Sequence, residues 1–141
     1  MNAVEILKKH QLSKTHCRVL VLEHLMKNRK AFTQSDIEKD LKPLCNRSTI
    51  YRILDKMVLK DIIVKVDSGD SFRFFFDESM LDKGKTAYVF FECNRCQRII
   101  PLQPVDSLRL QVPDTFEVKS TNFIVRGLCD TCKKQMAEFL Y

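Results

Sequence analysis

The chain has 141 residues, of which 45% are hydrophobic and 30% charged, and it carries a formal net charge of +6. That length holds one ordinary domain or two small ones, and a small domain has a thin core that benefits from a staple. No window approaches the roughly 18 continuous apolar residues of a membrane span, and the opening MNAVEILKKHQLSK lacks the apolar stretch and small-residue cleavage site of an export signal, so a cytoplasmic location is expected.

The charge is unevenly placed. Residues 1–76 hold 15 Lys and Arg against 9 Asp and Glu, whereas residues 77–141 hold 9 of each. A basic half beside a neutral one points to a polyanionic partner for the first half, with nucleic acid ahead of an anionic membrane surface.

In chain order, Asn2 to His10 reads as a short amphipathic helix with Val4, Ile6 and Leu7 as its apolar positions. The Ser13 to Thr15 region can cap a second helix that runs to about Asn28. Its residues Cys17, Leu20, Val21, His24 and Leu25 share one face, which Val19, Leu22 and Met26 widen, so this is the expected central core helix and Cys17 a packing residue. Thr33-Gln34-Ser35-Asp36 starts a third helix, with Ile37 and Leu41 on one face and Pro43 as its stop. Asn46 then caps a fourth, whose Ile50, Ile53, Leu54, Met57 and Val58 follow the i, i+3, i+4, i+7, i+8 rule. Cys45, just before that cap, is expected to be an inert, partly buried thiol rather than a redox trigger.

The same periodicity turns Arg47, Thr49, Tyr51, Arg52, Asp55 and Lys56 outward. Arginines can make bidentate contacts to guanine, and Thr49 or Tyr51 can touch phosphate or a thymine methyl, so this face suits DNA better than it suits a merely solvated surface. The next segment, IIVKVDSGDSFRFFF, is two β-rich runs around Asp67-Ser68-Gly69-Asp70, a hairpin in which Gly69 takes the positive φ of the turn. Helices followed by such a hairpin make a winged helix-turn-helix. The acidic tip argues against deep insertion beside phosphates.

Residues 77–85 are polar, with one Gly and no period, and are read as a linker between a DNA-binding domain at 1–76 and a second domain at 86–141. In that second domain Ala87 to Glu92 and Arg98 to Leu102 read as strands, Pro104 to Leu110 as a short helix, Thr115 to Arg126 as a longer strand and Asp130 to Leu140 as a closing helix.

Four of the six cysteines fall as C-x2-C-x32-C-x2-C: Cys93, Cys96, Cys129 and Cys132. In a reducing compartment this spacing reads as a metal site rather than as disulfides. Two such pairs complete the sulfur tetrahedron that Zn2+ prefers, and a closed sulfur site serves structure rather than Lewis-acid catalysis. One structural Zn2+ per chain is expected, its negative sulfur shell moderated by Arg95, Arg98, Arg126, Lys133 and Lys134.

With STIYRIL in the fourth helix, Arg18 in the second, CNRC and GLCDTC in this order and spacing, the chain resembles the ferric uptake regulator family of metal-responsive bacterial transcription factors over nearly its whole length. The resemblance implies an α+β protein: an N-terminal winged helix-turn-helix followed by a small α/β dimerisation domain with a four-cysteine zinc site. It also implies a homodimer that recognises an inverted-repeat operator in double-stranded DNA, usually to repress. In that family the Tyr and Arg matching Tyr51 and Arg52 lie on the DNA-reading helix, and the structural zinc is held by cysteines matching the four named above. With the outward face of the fourth helix and the matching Arg18, the candidate DNA contacts are Arg18, Arg47, Thr49, Tyr51, Arg52 and Lys56.

The sequence departs from the family where its members sense metal. Tyr88, Phe90, Ala31 and Thr121 stand near positions that carry histidines there, and the three histidines present, His10, His16 and His24, lie in the first two helices. Those replacements remove ligands suited to first-row metals, so the usual regulatory site is expected to be absent. The rival reading is a zinc-ribbon module that docks a protein partner without specific DNA binding. An enzyme is not expected, since no Gly-rich phosphate loop, nucleophile and base motif or open metal site is legible.

Overall fold

The computed structural model describes the chain except for residues 29, 70, 79–80, 82–87, 103–110, 119–120 and 141. The chain divides into two compact units, Met1–Gly84 and Lys85–Tyr141.

The first unit is built on four helices whose starts are set by local side-chain chemistry. Asn2 and Thr33 each form a reciprocal capping box, with Glu5 and Asp36, for α1 (Ala3–Lys9) and α3 (Gln34–Leu41). Thr15 caps α2 (His16–Lys27) through the Arg18 N–H, and Asn46 caps α4 (Arg47–Leu59) through the Thr49 N–H. Each cap satisfies an amide that a helix start leaves without a partner.

Between the helices lies a common core. Ile6 and Leu7 of α1, Val21, Leu22 and Leu25 of α2, Ile37 and Leu41 of α3, and Ile50, Ile53, Leu54 and Met57 of α4 are buried together. The helical period that buries one face of α4 is also what leaves its other face in water.

Three strands close the unit. β2 (Val64–Asp67) and β3 (Phe72–Phe75) pair antiparallel, Val64 opposite Phe75 and Asp67 opposite Phe72, as the hairpin reading requires. Gly69 adopts φ 91° in the turn, where an L side chain would be strained. The Gly69 N–H donates to Asp67 Oδ1 at 2.9 Å, and the Ser68 N–H donates to the Ser71 carbonyl at 3.0 Å. A two-residue strand not foreseen in the sequence, β1 (Phe32–Thr33), adds to the far side of β3, giving the order β1-β3-β2. Of the expected linker, Leu81 packs against this unit's core, and the N-terminal ammonium lies 3.2 Å from Glu78.

The second unit carries a sheet of order β5-β4-β6, with β4 (Tyr88–Cys93) antiparallel to β5 (Ile99–Leu102) and parallel to β6 (Asn122–Gly127). Helix α5 spans Asp130–Leu140. The helix expected over Pro104 to Leu110 lies outside the described residues. The strand expected over Thr115 to Arg126 is shorter than its alternation suggested: a turn closes ahead of it, the Phe116 N–H donating to the Pro113 carbonyl at 2.9 Å, and Phe116 is left 67% exposed. No helix among the described residues is long and apolar enough to cross a membrane.

Candidate nucleic-acid interface and metal centre

On α4 the residues named for DNA gather on one side. Arg47, Tyr51, Arg52 and Lys56 are exposed and Thr49 half-buried, while Ile50, Ile53, Leu54 and Met57 are buried behind them. The helix begins with the Asn46 side chain accepting both the Thr49 N–H at 2.8 Å and the Ser48 hydroxyl at 3.0 Å. Its first turn contains no acidic residue, so nothing on the helix competes there for an incoming phosphate. Arg47 lies 3.7 Å from Glu38 but is 86% exposed, a contact weak enough to exchange for another anion.

Arg18 stands apart from that face in its bonding. Its guanidinium donates to the Ser13 carbonyl at 3.1 Å and to the Ser13 hydroxyl at 2.6 Å, which holds the lead-in to α2 and leaves its remaining N–H groups for a phosphate.

Two wing residues were missed in the sequence. Across a cleft of about 220 Å³, Tyr51 and Asp55 of α4 face Lys65 and Phe72 of the hairpin, and the Lys65 ammonium lies 4.1 Å from the centre of the Phe72 ring. An exposed aromatic under a cation is a surface that can take a sugar or phosphate edge. Alternation marked these residues as strand, but only the fold puts them beside α4. The acid expected to repel DNA at the tip is partly accounted for, since Asp67 is engaged by the turn amide.

The four cysteines of the second unit converge. Their sulfurs all lie within 4.8 Å of one another, Cys93, Cys129 and Cys132 buried and Cys96 exposed. Cys93 ends β4 and Cys96 follows in a tight turn, with the Cys93 N–H on the Arg98 carbonyl at 3.0 Å, the Gln97 N–H on the Cys93 carbonyl at 2.9 Å, and Gln97 at φ 62°. Cys129 and Cys132 flank the start of α5. The Cys129 N–H points to the Cys93 sulfur at 3.4 Å and the Cys132 N–H to the Cys129 sulfur at 3.5 Å.

Those amides have an electrostatic consequence. N–H groups of Cys129, then Cys96, with Arg95 adding, bring the Cys93 thiol down to about 5 despite its burial, whereas burial and the neighbouring sulfurs push Cys132 up to about 12. Four sulfurs this close cannot all be thiolates without a cation among them. Ligands 2.3 Å from a tetrahedral zinc stand about 3.8 Å apart, which is the Cys96 to Cys129 sulfur separation of 3.8 Å. The donor set therefore fits Zn2+ in kind and number, and one sulfur pair already stands at the tetrahedral separation.

Around the sulfurs the cations are themselves paired. Arg98 lies 3.4 Å from Asp130, Arg126 lies 3.2 Å from Glu92, and Arg95 donates to Gln135 at 3.3 Å. The Asp130 carboxyl is held below its ordinary value by the Thr131 N–H, with Arg98 and Lys134 contributing. Among the described residues this is the one cluster of three or more side chains of metal-binding type.

The histidines have other neighbours. His24 Nε2 lies 2.7 Å from Asp40 of α3, with its ring edge-on to Phe32 at 4.7 Å, and His10 Nδ1 bonds the Ile6 carbonyl of its own helix at 2.8 Å. Phe90 and Ala31, two of the residues at positions expected to bear sensor histidines, are core residues.

The fate of the other two cysteines differs from the sequence expectation. Cys17 and Cys45 were expected to be a packing residue and an inert thiol, and the structure joins them as a disulfide. The signal was faint: each thiol sits at the start of a helix, and only the packing of α2 on α4 shows that the two starts meet.

No protein-family model and no curated protein matches the chain. Solved structures do. A zinc uptake regulator complexed with zinc and DNA superposes with a TM-score of 0.76 at 20% identity, covering 96% of this chain and 93% of that one. The fold is that of the uptake regulators. The ferric uptake regulator of Helicobacter pylori, described as having three functional metal binding sites, gives 0.62 at 17% identity over 90% of this chain and 86% of its own. The Pseudomonas aeruginosa ferric uptake regulator with manganese gives 0.64 at 19% identity over 92% and 99%. The uptake-regulator fold thus spans both units, as the α+β reading with a winged helix required.

Proposed function

We propose that the chain is a sequence-specific, double-stranded DNA-binding transcriptional regulator of the ferric uptake regulator type, acting as a homodimer on an inverted-repeat operator and usually repressing. The observation that carries this reading is α4: a capped helix, buried along one side, that presents Arg47, Tyr51, Arg52 and Lys56 to solvent. Its fold is shared with a zinc uptake regulator solved on DNA. Arg52 and Arg47 would read base edges, and Lys56, Lys65, Thr49 and Arg18 would hold phosphate.

The four cysteines would hold one structural Zn2+ per chain, which when bound cross-links the β4–β5 turn to the start of α5. Cys93, Cys96, Cys129 and Cys132 supply all four ligands, so no position stays open for substrate and the site is not catalytic. Dimer formation is supported by exposed apolar residues of the second unit, among them Leu102, Val125, Leu128, Met136 and Phe139. With Phe90 and Ala31 in the core in place of imidazoles, the regulatory metal site of the uptake regulators is absent or altered.

The test is binding of the purified protein to a pool of random duplexes at two salt concentrations, followed by sequencing of the retained DNA. A steep loss of affinity with salt and enrichment of a palindromic site are expected. Weak, salt-insensitive binding with no enriched site would overturn the reading in favour of a zinc-ribbon module that binds protein.

A further inference from the structure

Cys17 occupies the second position of α2, and Cys45 immediately precedes the Asn46 that caps α4. Their Cα atoms are 5.9 Å apart, within the ordinary span of a disulfide, so the backbone holds the two residues at bonding distance. Cys17 lies in the first turn of α2, the end of a helix where negative charge is favoured.

The environment accommodates the reduced state as well. The Cys17 sulfur lies 3.6 Å from the Leu44 carbonyl oxygen, an acceptor already in place for a thiol proton. Cys17 is partly exposed and Cys45 is 5% exposed, so an oxidant from solvent meets Cys17 first and Cys45 is the resolving partner. The other four cysteines are unbonded and converge in the second unit.

We propose that Cys17 and Cys45 form a reversible redox site that reacts with hydroperoxides, and that its bond clamps the N-terminus of α4 to α2. The Cys17 thiolate attacks the peroxide, the O–O bond breaks, an alcohol or water leaves, and Cys17 carries a sulfenic acid. The Cys45 thiol then attacks that sulfur, the S–O bond breaks, and water leaves as the disulfide forms. Two thiols lose two electrons and the peroxide gains them. A cellular dithiol reverses the step by exchange.

The bond has a mechanical consequence. It ties residue 45 to the first turn of α2, so the segment 42–46 and the α4 cap that follows are held at both ends. In the dithiol form only the Asn46 cap and the core hold them, and the first turn of α4, which carries Arg47 and Thr49, opens more often. The effect on DNA affinity rests on the proposed DNA-reading role of α4; the peroxide chemistry and the clamp do not.

The test uses the zinc-loaded full chain, reduced, freed of reductant and treated with hydrogen peroxide, followed by alkylation of free thiols and peptide mass spectrometry. The expected result is a linked Cys17 and Cys45 peptide pair, undone by a dithiol, with zinc content unchanged. Alkylation of both residues at peroxide doses that already release zinc would overturn the site.

Hydrogen exchange at residues 46–50 should be several-fold slower after peroxide, and equal rates in the two states would overturn the clamp. Cys17→Ser, a near-isosteric change at a partly exposed position, should exchange at the reduced rate with or without peroxide. Slowing in Cys17→Ser would assign the effect to another cysteine and overturn the proposal. Oxidised protein should also bind its enriched duplex several-fold more tightly. DNA binding absent in both states, beside a normally formed Cys17–Cys45 bond, would strike the DNA-binding reading and leave the redox site standing.

Discussion

Arg52 and Lys56 lie one helical turn apart on the solvent side of α4, and the proposed interface gives them different tasks. Arg52→Ala is expected to cost about 1–3 kcal/mol of specific binding and to relax preference at one base pair. Lys56→Ala should weaken all duplexes alike and reduce the salt slope by about 1. Titration of the enriched duplex and a scrambled one at several salt concentrations separates the two, and zinc content should stay the same in both variants. Asn46→Ala removes the side chain that accepts the Thr49 N–H and Ser48 hydroxyl, and urea unfolding should show a loss of about 1 kcal/mol. The caps at Thr33 and Asn46 were legible in the sequence because a cap bonds a backbone group three residues away. The Cys17–Cys45 bond was not, because it depends on how two helices cross.

At the scale of elements, the turn between β2 and β3 and the sulfur cluster can be tested separately. Gly69 sits at φ 91° with open space where a Cβ would go, so Gly69→Ala meets no clash and costs only the backbone term, about 1 kcal/mol. Cys96→Ser should leave the metal cluster without one of its ligands. Elemental analysis is expected to show zinc lost and a melting scan to show the second unit unfolding early, while the first unit, whose core is independent of the sulfurs, melts as before. A zinc-free variant with an unchanged scan would remove the structural role. The helices of the first unit were readable from period and caps. The second unit was read less well: Phe116 and Val118 alternate like strand residues, yet Pro113 and the turn after it leave both exposed. The parallel pairing of β4 with β6 and the small β1 beside β3 are long-range contacts, on which a local pattern is silent.

For the whole molecule, the metal stoichiometry is the decisive number. The protein is expected to purify with one zinc per chain and to retain one after equilibration with excess Fe2+, Mn2+ or Zn2+ and desalting, because the described residues offer a single convergent ligand set. A second retained metal would mean that the switch has been rebuilt from other ligands. The convergence of the four sulfurs was visible in the cysteine spacing, which survives without knowledge of tertiary contacts. What the spacing did not reveal is that the two pairs meet at one end of a parallel pair of strands, Cys93 level with Gly127. That register imposes an order on synthesis. A chain still on the ribosome can make the turn around the first sulfur pair, but it cannot close the site until Cys132 has emerged, so β4 waits for a strand that lies beyond β5 in the chain. Metal capture at these cysteines would therefore be a late, single event in the birth of the second unit, and chains made without zinc are expected to have a folded first unit and an unfolded second one.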